Sequence, residues 1–236
     1  MEALLIKYLK KVQNEPSPKP AGLAKEVENL LSVLSEIVEV NARSGQSPRH
    51  KNADIHFAIL HDICESKQPR MVELALSCIH VLIERGYLQG KSPIDSNGML
   101  LEARGEEKQG SNDRCINEEE EKLKGGDGTP VRFLIDYIIE TVCKCSEIND
   151  DNVHLQAIKA LLTAITSSHC EVHEATLLLA IQACFHIHLV SKSQINKITA
   201  KAALTQMVSN TVARMEVLHQ VIIMEHGKKG STDSMK

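Results

Sequence analysis

Apolar residues recur along most of this chain at intervals of three and four, the spacing that lines one face of an α-helix. In the first element, predicted over Glu2 to Asn14, Leu4, Leu5, Tyr8, Leu9 and Val12 share a face. Pro16, Pro18 and Pro20 then interrupt the backbone, because proline lacks an N–H and clashes with the preceding turn. A second helix is predicted from about Leu23 to Val40 on the stripe Leu23, Val27, Leu30, Leu31, Leu34, Ile37 and Val38, followed by a polar loop over 44–52. From Asp54 the pattern tightens. One helix carries Ile55, Phe57, Ala58, Leu60, His61 and Cys64; the next starts at Pro69, carries Val72 to Ile83 and ends at Gly86, proline suiting a helix start and glycine its end. After Pro130 helices are predicted over about 131–145, 151–167, 171–191 and 196–225, with Asp150 or Asp151, and Ser193 or Asn196, as N-caps.

Two segments depart from this pattern. Residues 89–129 are rich in Gly, Ser, Asn and Glu, with the acidic run Glu118 to Glu121 and a glycine cluster at Gly125, Gly126 and Gly128. So polar a segment cannot bury enough surface to offset its ordering entropy. It is expected to be a disordered insertion, with a short helix near Asn117 to Lys124. The last ten residues, 227–236, read as a flexible tail, leaving 1–226 as a single helical-repeat domain.

The second helices of successive pairs can be superposed in sequence. Ala75, Leu76, Ile79, Leu82 and Ile83 match Ala157, Ile158, Leu161, Leu162 and Ile165, and Ala202, Leu204, Met207, Val208 and Val212 continue the series less strictly. Ala157 and Ala202 are 45 positions apart, and Ala75 and Ala157 are 82 apart. The longer interval falls to about 42 without the insertion, within the roughly 40–47-residue period of HEAT and armadillo repeats. The expected fold is all-α, an armadillo/HEAT-like stack of antiparallel helix pairs. An irregular helical bundle is the alternative.

Composition sharpens this picture. Aromatic residues make up 3% of the 236 residues and there is no Trp, so the core must be aliphatic, which suits helix-on-helix packing. A net charge of −4 offers no concentrated basic face for nucleic acid. The seven cysteines are odd in number, irregularly spaced and mostly set in apolar helical pattern, as at Cys64, Cys78, Cys143 and Cys184. They read as reduced, buried thiols of a cytosolic protein. The N-terminus has no secretory-signal pattern, and no apolar run reaches the roughly 18 residues that span a bilayer. Membrane association would run through a partner.

Candidate chemistry is sparse. His169, Cys170 and His173 place two imidazoles four apart, but a zinc site needs three or four ligands and capping chemistry at a helix corner explains them as well. Cys143 and Cys145, like His186 and His188, are two apart, so their side chains leave a helix in different directions. Cys184 with His186 or His188 could form a nucleophile and base, yet no third group orients them. The glycine cluster follows no predicted strand, so a phosphate cradle is not indicated. The expectation is a non-catalytic binding domain without metal or cofactor. The candidate partner-binding patch is the corner formed by Val190, Lys192, Gln194, Asn196 and Lys201, where lysines and polar turn residues flank apolar positions.

The order of residues adds a resemblance. IKALLTAITS from Ile158 to Ser167, His173-Glu174, Ala183-Cys184-Phe185, Ile187-His188-Leu189, Ser191-Lys192, Thr199-Ala200-Lys201-Ala202, Leu204-Thr205-Gln206-Met207 and Arg214-Met215-Glu216 carry it. Glu65-Ser66-Lys67, Pro69-Arg70, Gly86-Tyr87-Leu88 with Gly90, and Ile138 to Cys143 with Cys145 extend it upstream. Over about residues 50–216 the chain resembles the dimerisation and cyclophilin-binding (DCB) domain of the large brefeldin-A-inhibited guanine-nucleotide-exchange factors of Arf GTPases. The resemblance implies an armadillo-like regulatory domain that self-associates and contacts other exchange-factor domains. It also implies docking of an Arf-like small GTPase, which would place the protein in the cytoplasm, peripheral to trans-Golgi membranes. The exchange domain and the homology box that follows this domain in the family find no counterpart, so a fragment, a truncated product or a stand-alone relative is expected. A generic helical-repeat scaffold for another partner is the alternative function.

Overall fold

A computed structural model describes residues 1–44, 52–95, 98, 100 and 132–232. Eight α-helices appear among them: α1 Glu2–Asn14, α2 Ala21–Ser44, α3 Phe57–Glu65, α4 Pro69–Glu84, α5 Leu134–Cys145, α6 Asp151–Thr166, α7 Glu174–Val190 and α8 Gln194–Thr232. A single 3-10 turn, Asp54–His56, leads into α3.

The helices form two rows. α3, α5 and α7 pack side by side, as do α4, α6 and α8, and each of α3–α4, α5–α6 and α7–α8 is an antiparallel pair. α1 and α2 form a hairpin at the start, α1 against α4 and α2 against α3. This is the all-α stack that the sequence predicts.

The repeat is legible in burial. α4 buries Met71, Val72, Ala75, Leu76, Cys78, Ile79, Leu82 and Ile83. α6 buries the residues 82 positions on, Val153, His154, Ala157, Ile158, Ala160, Leu161, Ala164 and Ile165. One seam of each helix meets the preceding row member and the other meets the next. Among the described residues α8 buries Asn196, Ala200, Ala203 and Met207 along the same row. These lie 43 positions after Val153, Ala157, Ala160 and Ala164. The alignment on Ala202 is therefore corrected: Ala202 is exposed, and the repeat runs through Ala200 and Ala203.

Element boundaries follow local chemistry. Asp150, the N-cap of α6, accepts from the amides of Asn152 and Val153, as an N-cap carboxylate should. Pro69 occupies the first turn of α4. α2 runs to Ser44 and α8 to Thr232, beyond the predicted ends at Val40 and Glu225. No proline interrupts either extension.

The near edge of the expected insertion is corrected. Asp54, 1% exposed, accepts from the amides of Gln89 (3.0 Å) and Gly90 (3.1 Å) and from the Ser92 hydroxyl (3.2 Å). Pro93–Ile94 (β1) pairs antiparallel with Arg132–Phe133 (β2), so α5 begins at Leu134 rather than Val131. The carbonyls of Ser92 and Gly90 accept from the Leu134 and Ile135 amides, supplying acceptors for donors that a helix start leaves open. Gly90 adopts φ +68°, and a Cβ there would lie 2.6 Å from the Ile135 backbone. The predicted helix near Asn117, the acidic run and the glycine cluster lie outside the described residues.

Candidate interaction surface

α7 is apolar nearly all round. Its inward side buries Thr176, Ala180, Ala183, Cys184 and Ile187. On the opposite side Leu178 (58% exposed), Phe185 (53%) and Leu189 (61%) face solvent. With Glu174 and Ile181 they follow intervals of four, three, four and four, one continuous helical stripe. α8 carries a matching stripe at Ile198, Lys201, Thr205, Val208, Val212 and Glu216, of which Ile198, Val208 and Val212 are exposed apolar residues. Each stripe lies opposite the buried side of its own helix. In α4 and α6 the corresponding seam is buried; here it is open.

The corner between α7 and α8 is built on α6. Ser191, 3% exposed, donates to Asp151 Oδ1 at 3.2 Å. Asn196, 2% exposed, donates through Nδ2 to the Asp151 carbonyl at 2.8 Å. His188 Nδ1 lies 2.9 Å from the Lys197 carbonyl. Asn196 is thus a tie between repeats, and its expected place in a partner-binding patch is corrected. Its side chain is consumed by the fold. Val190, Lys192, Gln194 and Lys201 are exposed around it, and Lys201 lies within the α8 stripe.

The remaining candidates disperse into structural roles. Cys170 is buried with its thiol 3.9 Å from the Leu88 carbonyl. His169 packs against Gly86. His173 stacks on Phe133 and contacts the Asp136 carboxylate at 3.2 Å, which also accepts from the Thr176 hydroxyl at 2.6 Å. Among the described residues no group of three His, Cys, Asp or Glu could hold a metal. Cys184 is fully buried, and desolvation pushes its thiol up to about 12, which removes the thiolate that nucleophilic chemistry needs. His188 turns to Lys197, and His186 is exposed. Cys143 is half-buried and Cys145 buried, pointing apart as their spacing requires. The free thiols of Cys145 and Cys64 meet across α3–α5, and that contact together with burial raises the Cys64 thiol.

The open face was missed in sequence because its residues are apolar and so counted as core. The available signal was α7 itself: a helix apolar on all sides demands burial on all sides, and it has too few neighbours. Among the described residues no helix is long and apolar enough to cross a membrane.

The family model described as "DCB: Mon2/Sec7/BIG1-like, dimerisation and cyclophilin-binding domain" matches residues 1–218. Brefeldin A-inhibited guanine nucleotide-exchange protein 1 of Mus musculus is 40% identical over 186 residues, covering 75% of this chain and 8% of the relative. Its Homo sapiens counterpart is 42% identical over 166 residues, covering 70% of this chain and 7% of the relative. The ADP-ribosylation factor guanine nucleotide-exchange factor SEC7 of Saccharomyces cerevisiae is 26% identical over 190 residues, covering 78% and 9%. The chain thus spans less than a tenth of each of these relatives.

Proposed function

The chain belongs to the Mon2/Sec7/BIG1-like family of dimerisation and cyclophilin-binding domains, and on that footing we propose that it is a regulatory interaction domain rather than a catalytic one. In this reading residues 1–226 act as one helical-repeat unit with a short tail. The unit self-associates, contacts other segments of a large Arf exchange factor, and binds an Arf-like small GTPase that recruits it to trans-Golgi membranes. The observation that carries the reading is the exposed apolar stripe on α7 and α8. Contiguous exposed apolar surface rimmed by charge is the usual mark of a protein-binding site, and it adjoins Val190, Lys192, Gln194 and Lys201 at the α7–α8 corner. Vesicle traffic is the setting that the named exchange-factor relatives suggest.

Two measurements test it. Light scattering over a concentration series should show the mean mass rising from monomer toward dimer; a monomer throughout would remove self-association. Capture of GTP-loaded over GDP-loaded Arf-family proteins on the immobilised chain should separate the two nucleotide states. Equal capture of both, or of neither, would remove GTPase-dependent recruitment.

A further inference from the structure

Two free cysteines meet where α3 and α5 end. Cys64 stands one residue before the C-terminus of α3, and Cys145 is the last residue of α5. The two helices pack side by side, and the thiols touch across them. Both residues are nearly enclosed, at 4% and 3% exposure. Yet both line a cavity of about 220 Å³, together with Glu65, Lys67, Lys144 and Glu147. Thiols that serve only as packing are closed over by apolar neighbours. This pair has charged walls and space for a small molecule beside it. Cys170, by contrast, faces the Leu88 carbonyl.

We propose that Cys64 and Cys145 are an oxidation site, at which a small hydroperoxide converts the two thiols into a disulfide that ties α3 to α5. Contact with Cys145 and burial keep Cys64 a neutral thiol, so Cys145 reacts first. Its sulfur attacks one peroxide oxygen and the O–O bond breaks. The thiol proton goes to the departing oxygen, leaving a sulfenic acid on Cys145 and an alcohol, or water when the oxidant is hydrogen peroxide. The Cys64 sulfur then attacks the sulfenic sulfur. An S–S bond forms, the S–O bond breaks, and water leaves with the Cys64 proton. Two electrons have passed from the sulfurs to the peroxide. The backbone can follow, because the last turn of a helix is held by fewer hydrogen bonds than its middle. The reaction is slow. Burial and the negative ends of two helices oppose a thiolate, and the two lysines of the cavity are offset by its two glutamates. Sustained peroxide is therefore required. The partners are 81 positions apart in sequence, so the bridge closes a long loop and removes much entropy from the unfolded chain.

The test uses the full chain, incubated with excess hydrogen peroxide, then unfolded, alkylated and mapped by mass spectrometry. The intact chain should lose two hydrogens in mass, and one linked peptide should join Cys64 to Cys145. Dithiothreitol should reverse both. The oxidised chain should melt higher by about 5 °C or more. Cys64→Ser and Cys145→Ser should each lose the linked peptide and the rise in melting temperature, while Cys78→Ser should keep them. A link from Cys64 or Cys145 to any other cysteine, Cys115 included, would overturn the proposal. So would a Cys145 that gains two or three oxygens while Cys64 stays a thiol, or two thiols that remain free for as long as that of Cys78. Peptide mapping of the unsubstituted chain decides among these outcomes even if a serine variant fails to fold.

Discussion

Replacing Asp54 by Ala is expected to cost about 3 kcal/mol of folding stability, and replacing it by Asn about 1 kcal/mol. The reason lies in which oxygen does what. Oδ1 accepts from the Gln89 and Gly90 amides, and Oδ2 from the Ser92 hydroxyl. Alanine strands two backbone donors and a hydroxyl. A buried group left unsatisfied costs about 1–3 kcal/mol, and three together would reach the upper end if no water entered. Gly90 is buried while Gln89 and Ser92 are half-buried, so water recovers part of the loss, giving about 3 kcal/mol in sum. Asparagine keeps Oδ1 for both amides and presents an N–H₂ to Ser92, whose hydroxyl can accept. It loses only the charge assistance. Urea unfolding followed by far-UV circular dichroism measures both variants, and in Asp54→Ala the amides of Gln89, Gly90 and Ile135 should also exchange faster. Equal losses in the two variants, or less than about 1 kcal/mol for alanine, would refute the view that this carboxylate holds the β1–β2 closure onto α5.

Other substitutions separate structure from surface. Gly90→Ala should destabilise by about 2 kcal/mol or more, because φ is +68° and the added carbon meets the Ile135 backbone at 2.6 Å; a melting temperature within a degree of wild type would contradict this. Asn196→Ala should lose about 1–2 kcal/mol through the tie to the Asp151 carbonyl, whereas Lys192→Glu should leave stability unchanged; denaturant midpoints distinguish them. His61 is held neutral, its Nδ1 beside the Thr141 hydroxyl and its Nε2 beside the Tyr137 hydroxyl. Burial lowers its pKa from 6.5 against the raising fields of Glu65 and Asp62. A lowered folded pKa means that the unfolded chain binds the proton more readily. The His61 contribution is therefore complete above pH 6.5 and fades as pH falls through the folded value; His61→Gln should flatten stability between pH 7 and pH 5. The thiols of Cys78 and Cys184, pushed up to about 12 by burial, should resist alkylation at pH 8 until the chain is unfolded, which mass spectrometry of labelled peptides reports.

Much of the stack was legible because helix periodicity and row burial are the same pattern. Ala75, Leu76, Ile79, Leu82 and Ile83 form one continuous stripe in sequence, and all five are buried in α4. Asp150 was readable as a cap because its carboxylate precedes an apolar-periodic run. The β1–β2 closure was not readable: its strands are two residues long, and the bond that stabilises it joins Asp54 to residues some 35 positions away. Nor could Asn196 be separated from its exposed neighbours. A polar residue at a helix start reads as solvent-facing, and only the arrival of Asp151 in space makes it internal.

The register of α8 explains why the binding face hid in the apolar pattern. In α6, Val153, Ala157, Ala160 and Ala164 form one seam, and Ile158, Leu161 and Ile165 the other; both are buried. Shifted 43 positions, the first seam becomes Asn196, Ala200, Ala203 and Met207, all buried. The second becomes Lys201, Leu204 and Val208, which are exposed or half-exposed. A helix face that met only water would be polar. α8 instead exposes Ile198, Val208 and Val212, and α7 exposes Leu178, Phe185 and Leu189. Six apolar side chains facing water, each adding roughly 1–2 kcal/mol when buried, supply a driving force for association and no stability to the isolated chain. Replacing all six by Ser or Gln should therefore leave the fold at least as stable as before while abolishing association. A loss of stability instead would show that these residues serve the core of one chain rather than contact with another.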